Sequence, residues 1–579
     1  MRLICLKANQ PSFKTVHFNP SGISIIVGKK EGDSAKNRKG TYNGVGKSLV
    51  IALVHFCLGG NEKKGLTKPL KSWVFTLEFE INDQIYTSTR STHEPTKIFL
   101  NGRAYKLESF REYLEGLLFE LPEEPVVFLK FRPLISRFIR PSIEGYKSFD
   151  NAVPKEQDYA RQLCNSFLLG LDPILAQRKF KLRTDLTEIK TLAKNISKDE
   201  VLKQFFHEGE RVEFEVVSLT RKIISLEKKI ANFIIADDLD ALKREADTLS
   251  EELRSLRNRR VLIENALRSI EKSLTIQPDI TSNELLRFYE EAKVQLTDLI
   301  VKEVREIEDF NQKLIGDRQK RLEVERRKLL SDLEDVKSKI LTLGKIEDEK
   351  LKMLESTGAL DDYRVLTDEL SASRVRLERL ESYQKLMEEY KIKQLQIENQ
   401  LNEENIETIN YLKRQKSIID EDIFTFQELA LQFYENKKSG IKIENNEGEN
   451  LLRYKIEAEI EHDRSDGINQ VKLFCFDFTI LKNHFNHKVN FIFHDSRLLD
   501  PMDPRQRASV LNIAYEECRN HGFQYIISAN EDALESLRDE FDDKSFQEVV
   551  MDNIILELTD ASDATKLLGT SIDMNYEKD

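Results

Sequence analysis

Asn43-Gly44-Val45-Gly46-Lys47-Ser48 stands between two apolar runs, Ile23-Ser24-Ile25-Ile26-Val27 before it and Leu49 to Leu58 after it. A strand, a glycine-rich turn, Lys-Ser and then a helix is the order that cradles nucleotide phosphates. Backbone N–H groups of the turn face the phosphates, the lysine reaches the β/γ oxygens, and the serine hydroxyl ligates Mg²⁺. Thr41 stands where the pattern asks for glycine, and Gly40 comes one place early. Gly28, at the end of the strand, fills the first glycine role, with Lys29 to Tyr42 looped out as an insertion. The expected nucleotide-binding set is therefore Gly28, Asn43, Gly44, Val45, Gly46, Lys47, Ser48 and Leu49. The bland alternative, a chance Gly-Lys-Ser in a surface turn, lacks this flanking strand and helix.

Outward from this stretch the chain divides into three textures. Residues 1–175 read as globular. Strands are expected at Leu3–Leu6, Thr15–Phe18, Ile23–Val27, Trp73–Ile81, Gln84–Arg90 and Lys97–Leu100. Asn82-Asp83 and Asn101-Gly102 mark hairpin turns. Residues 176–432 carry apolar positions at 3–4 spacing: Leu242, Ala246, Leu249, Leu253, Leu256, Ile263, Leu267, Ile270 and Leu274, broken only at Arg260. The spacing returns at Leu329, Leu333, Val336, Ile340 and Leu343, and again at Leu366, Leu370, Leu377, Leu380 and Met387. A narrow apolar seam in a charged background predicts a segmented antiparallel coiled coil, with breaks near 232–238, 275–283 and 343–361. Residues 433–579 are globular again: a hairpin around Asn446-Glu447-Gly448, strands Val489–Phe493 and Tyr525–Ser528, and a helix Leu511–Asn520 between those strands. A folded-back rod brings the two ends together, and neither end has enough strands for a complete core.

Composition agrees. The 579 residues are 33% charged with only 13 prolines and 22 glycines, which favours long helices. A net charge of −12 excludes a generally basic nucleic-acid binder, though not local basic patches. Five scattered cysteines form no CxxC and suit buried thiols in a reducing cytosol. No run is long enough to cross a bilayer, and Met1-Arg2-Leu3-Ile4-Cys5 makes no signal peptide, so a cytoplasmic location with no membrane partner is expected.

A phosphate-loop ATPase needs a carboxylate at the end of a second buried strand to hold the Mg²⁺ shell. Val489-Asn490-Phe491-Ile492-Phe493-His494-Asp495 supplies Asp495. A plain strand-end cap is the competing reading, weakened by the loop at 43–48.

With these residues in view, the chain resembles the SMC and RecN group of ABC-type ATPases, whose head is split by a coiled coil. The similarity lies in Phe18-Asn19-Pro20-Ser21-Gly22-Ile23-Ser24-Ile25-Ile26-Val27-Gly28 and Phe56-Cys57-Leu58-Gly59-Gly60. Ser465-Asp466-Gly467-Ile468-Asn469 and Phe491-Ile492-Phe493-His494-Asp495-Ser496 are similar to a bacterial SMC-like set. Members of that set resemble ATPase subunits of three-component ABC systems in conflict with phage and plasmids. The resemblance implies an α/β ABC-type ATPase head assembled from N- and C-terminal halves and interrupted by a long antiparallel coiled-coil arm. It implies ATP and Mg²⁺ as ligands, with Ser48 and Asp495 on the metal. It implies Ser465 and Gly467 offered in trans to a second subunit's nucleotide, hence a homodimer, with effector or accessory subunits and DNA as further partners. A helix N-cap is the plain alternative for Ser465. Asp503, or less well Asp500, fits the loop that contacts the partner subunit.

Two departures stand out. Ser496 occupies the place where these ATPases carry the glutamate that orients water, and a hydroxyl is a poor base. Asp495, Asp500, Asp503 and Glu531 are the candidate catalytic carboxylates. Asn530 replaces the switch histidine and could hydrogen-bond a γ-phosphate without shuttling a proton. Gln157 and Gln162 are unsupported candidates for the γ-phosphate-sensing glutamine. Basic clusters at Arg254–Arg260, Arg318–Arg321, Arg326–Lys328 and in the insertion (Lys29, Lys30, Lys36, Arg38, Lys39) could meet DNA phosphates or simply be solvated faces. Arg132, Arg137 and Arg140 are read as a structural element or as a phosphate or partner contact. The resulting expectation is an SMC-like ATPase whose ATP-dependent head dimerisation gates a DNA-sensing defence complex. A weakly or non-hydrolysing nucleotide-gated scaffold and a RecN-like repair ATPase are the alternatives.

Overall fold

The computed structural model describes residues 1–30, 44–198, 212–231, 239–275, 298–354, 360–461, 465–570 and 572. These fall into two compact units: one of 1–184, 293–301 and 399–579, the other of 185–292 and 302–398.

The first unit is built on two sheets. Four parallel strands lie in the order β10 (Phe491–His494), β11 (Gln524–Asn530), β3 (Gly22–Lys29), β12 (Ile554–Thr559). The strand that precedes the glycine-rich turn is thus hydrogen-bonded on both edges to strands from the other end of the chain. β3 is buried almost throughout, as a parallel strand covered on both faces must be. The second sheet is antiparallel, in the order β2 (Val16–His17), β1 (Arg2–Ala8), β4 (Val74–Ile81), β5 (Gln84–Ser91), β6 (Lys97–Leu100), β7 (Arg103–Lys106). In β4 every second residue is buried, so only one face meets the core. Asn82 and Asp83 (φ 50° and 60°) and Asn101 and Gly102 (φ 50° and 80°) make the two expected hairpin turns, with the positive φ that Asn, Asp and Gly tolerate. β8 (Ser439–Asn445) and β9 (Tyr454–Ile460) form a separate hairpin. One hydrophobic cluster runs from Met1 to Leu568 and includes Ile25, Val50, Phe75, Phe474, Phe493 and Tyr525. All five cysteines are buried and none forms a disulfide.

β7 and β12 are additional to the strands expected from sequence. Both lack a clean signal: β7 is exposed along most of its length, and β12 alternates weakly.

The second unit is helical. Leu239–Thr275 runs antiparallel to Asp298–Leu354, with Ile263, Leu267, Leu333 and Val336 in the seam. Ion pairs Glu264–Lys337 (4.0 Å) and Glu271–Arg326 (3.6 Å), and the closer pair Glu245–Lys350, step along it in opposite directions. Val212–Ala231 packs on Leu360–Arg414 through Ile223, Leu226 and Leu370. One expectation is corrected. The break predicted over 343–361 is absent as far as Leu354, because Gly344 sits inside a helix with seam contacts at Ile340 and in the ladder at Lys350. The breaks expected at 232–238 and over most of 275–283 lie outside the described residues. No helix among the described residues is long and apolar enough to cross a membrane.

Candidate nucleotide site

The carboxyl ends of parallel strands are where an open α/β sheet leaves a crevice for ligands. Gly28 pairs in register with Asn530, and His494, one residue before Asp495, pairs with Ile527. Gly28, Asn530 and Asp495 therefore lie at the same edge of three adjacent strands.

The helix α1 (Lys47–Cys57) starts at this edge. Gly46 is its N-cap at φ 107°, and Gly44 has φ 81°, conformations that disfavour side chains. A Cβ on Gly46 would lie 2.5 Å from Leu567 Cβ. Among the described residues no side chain caps α1, and no acid occupies its first turn, which leaves the positive end of the helix to an anion. A Cβ on Gly28 would sit 2.5 Å from Lys47 Nζ, so the ammonium lies directly over the glycine backbone. Lys47 is buried, and desolvation holds it below the ordinary lysine range, opposed by the carboxylates of Asp495, Asp500 and Asp532. Val45 and Leu49 are buried in the core and anchor the turn from below. Asn43 and the insertion cations Lys36, Arg38 and Lys39 lie outside the described residues. Lys29 pairs with Glu557 at 2.6 Å.

Asp495 is 2% exposed. Its Oδ1 accepts from the Ser496 hydroxyl (3.1 Å) and the Arg497 N–H (3.4 Å), while Oδ2 has no hydrogen-bond partner among the described residues. Its N–H donates to the Tyr146 hydroxyl at 2.6 Å. Ser496 N–H donates to Ser528 Oγ at 3.0 Å, which fastens the strand ends together. Asn530 Oδ1 likewise has no hydrogen-bond partner among the described residues. A carboxylate oxygen left bare in the interior is costly unless a cation or proton meets it. Lys47, the Ser48 hydroxyl on the first turn of α1, the open N-terminus and Asp495 Oδ2 together form a donor set of the kind that takes Mg²⁺ with a nucleotide phosphate. Among the described residues no cluster of three or more His, Cys, Asp or Glu forms a metal cage, and a phosphate-bound Mg²⁺ needs none.

The remaining candidates separate. Ser465 caps the helix Asp466–Asn483, its hydroxyl accepting from Ile468 N–H. Gly467 packs so closely that a Cβ would lie 2.8 Å from Gln506 Oε1 and 3.2 Å from the Pro501 carbonyl. Asp503 is the N-cap of Pro504–His521 in a reciprocal capping box with Gln506. Asp500 is exposed at the mouth of the site, and its carboxyl is raised by desolvation and by Asp495. Glu531 opens the short helix Glu531–Glu535. Asp532 is a charge that acts on Lys47. Sequence reading missed it, although it stands only two residues beyond Asn530. Gln157 is exposed and Gln162 half-buried. Arg137 is buried on Glu156 (2.9 Å) and Arg140 on Asp477 (2.5 Å). In the second unit Arg254 donates to the Thr367 carbonyl, and Arg260 and Arg326 pair with Glu264 and Glu271. The side chains of Arg318 and Arg321 lie outside the described residues.

Residues 429–572 match the family described as "Uncharacterised protein conserved in bacteria (DUF2326)". No curated protein matches the chain. Among solved structures, the chain is similar to the Smc head domain with a coiled coil and joint from Pyrococcus yayanosii. Identity is 17%, over 96% of this chain and 94% of that one, with a TM-score of 0.38. It is also similar to the Smc head domain with an extended coiled coil, bound to the C-terminal domain of ScpA, from Pyrococcus furiosus. There identity is 13%, over 93% and 91%, with a TM-score of 0.32. Overlap at that level leaves the functional reading to the geometry of the site itself.

Proposed function

We propose that this chain is an SMC-like, ABC-type ATPase in which Mg²⁺ and ATP bind at the sheet edge formed by Gly28, Gly44–Leu49, Asp495 and Asn530. The observation that carries the reading is that Lys47, from one end of the chain, lies within electrostatic reach of the buried Asp495, from the other, beside a helix N-terminus without a side-chain cap. When bound, the metal and triphosphate would supply the charge that those groups are arranged to neutralise. Lys47 would hold the terminal phosphates, Ser48 and Asp495 would orient the metal shell, and Asn530 would contact the γ-phosphate. Residues 1–175 and 433–579 are proposed as the two halves of the head, and 176–432 as the arm. Two heads would close as a homodimer, each presenting Ser465 and Gly467 to the other's nucleotide, and closure would shift the arms between two states.

The test is sedimentation velocity of the full chain with and without Mg·ATP. Doubling of mass with ATP, lost in Lys47→Ala, is expected; one unchanged mass under both conditions overturns the reading.

A second reading is favoured by a specific observation. Ser496, where a water-orienting acid would stand, is itself buried and bonded to Asp495. On that reading nucleotide is a gate rather than a fuel, and phosphate release is absent while binding persists. DNA, effector subunits, cytoplasmic action and a place in defence rest on the family resemblance. A DNA titration and the neighbouring genes test them.

A further inference from the structure

A closed ring of buried polar contacts lies behind Asp495. The segment before it adds a short parallel bridge to the outer edge of β10, Ile139 beside Phe493, with Phe493 N–H donating to the Phe138 carbonyl at 2.8 Å. Arg140 follows directly. Its guanidinium grips both oxygens of Asp477 at 2.5 Å, inside the helix Asp466–Asn483. It also donates to the carbonyls of Gly145 (2.6 Å), Phe149 (2.6 Å) and Asn151 (2.5 Å). One cation therefore shapes the whole loop 143–151 around itself, which a lysine with its single ammonium could not do. Asp477 Oδ2 also meets His494 Nε2 at 2.9 Å, and His494 Nδ1 faces the Tyr525 hydroxyl at 3.2 Å. Burial lowers the His494 pKa, with Asp477 opposing it, and a carboxylate can only accept, so Nε2 is the nitrogen that donates to Asp477.

The loop so held makes two kinds of contact. The Tyr146 hydroxyl accepts the Asp495 N–H at 2.6 Å. The Tyr146 carbonyl accepts from Gln470 Nε2 at 2.8 Å, and the Lys147 carbonyl from Asn469 Nδ2 at 3.0 Å. Asn469 and Gln470 are the fourth and fifth residues of the helix Asp466–Asn483, which Ser465 caps. Deepening the nucleotide reading, and resting on it, we propose that the turn Ile143–Tyr146 is a positioning strap. It ties the backbone of Asp495 to the start of the helix that would face a second subunit. Tyr146 and Gln470 are its two ends, and Arg140 is its fixed post. A shift of Asp495 on metal binding is then passed to residues 466–470 through the strap, because the loop cannot yield independently of Arg140. Both ends are buried, so a broken bond leaves an unpaired group rather than one rescued by water. Tyr146 touches no reacting atom and acts through Asp495 alone.

The experiment uses the full chain in wild-type, Tyr146→Phe and Gln470→Ala forms. Mg·ATP affinity is read at protein concentrations below association, ATP-dependent association by sedimentation, and amide exchange at 466–470 by mass spectrometry. The strap predicts that both variants keep affinity within about threefold. They should need about tenfold more ATP for half-association, and lose the ATP-induced protection at 466–470 seen in wild type. Gln470→Ala guards against a folding defect specific to the Tyr146 site. If wild type binds no Mg·ATP, the nucleotide reading falls and the strap with it. If wild type binds and associates while both variants do so at unchanged ATP, or if only melting temperature moves, the strap alone is overturned.

Discussion

Three residue positions test the site directly. Asp495→Asn keeps the shape of the side chain and removes its charge. Its expected signature is a folded protein with Mg²⁺-dependent ATP affinity reduced at least about tenfold, the scale of one charge-assisted contact, measured by calorimetry with and without Mg²⁺. The two turn glycines should behave differently. Gly46→Ala meets both a positive φ and Leu567, so destabilisation of about 2 kcal/mol is expected. Gly44→Ala meets nothing within 4 Å among the described residues and only backbone strain, about 1 kcal/mol. Equal losses in urea unfolding would contradict the packing at Leu567. Away from the site, Asp422 is buried and accepts from the Asn483 amide, and desolvation raises its carboxyl from 3.8 to about 8. The folded pKa exceeds the unfolded one, so the proton is retained in the folded state. The stabilisation is complete below pH 3.8 and drains away as pH rises towards about 8. Asp422→Asn cannot ionise and should melt with less difference between pH 5 and pH 8 than wild type does.

Elements carry a second kind of consequence. Asp503 caps the helix that links β10 to β11. Asp503→Ala should cost about 1 kcal/mol in urea unfolding, and Asp503→Asn much less. A partner-contact role alone would leave the isolated chain's stability unmoved. In the helical unit the seam is thin, so single positions matter. Leu267→Ala, facing Leu333 and Val336, should cost about 2 kcal/mol, seen as an earlier loss of helical signal on heating. Element identity was largely legible beforehand where a periodic signal was strong. β4 alternates in both sequence and burial, and the hairpin turns at Asn82-Asp83 and Asn101-Gly102 announce themselves by residue type. β12 was not legible, because a strand that completes a sheet by pairing with β3 needs backbone partners rather than a clean pattern. The helix through Gly344 shows the opposite error. A single glycine lowers helix propensity by about 1 kcal/mol, less than its neighbours recover by packing in the seam.

At the scale of the whole molecule, β3 has no free edge: β11 lies on one side and β12 on the other. Residues 1–198 made alone would expose both edges and should aggregate, whereas co-expression with 399–579 should give a soluble complex. Soluble, folded 1–198 by itself would refute that dependence. The sequence by itself determined the local chemistry. Gly46-Lys47-Ser48 before an apolar helix, Asp495 ending an apolar strand and a 3–4 apolar spacing all act over a few residues, where residue type and order are enough. Only the tertiary structure decided which carboxylates surround Lys47, and that Tyr146 and Arg140 stand behind Asp495. Those relations join residues hundreds of positions apart. They are set by which strands share a sheet and which cations a closed core can neutralise, quantities that no local pattern encodes.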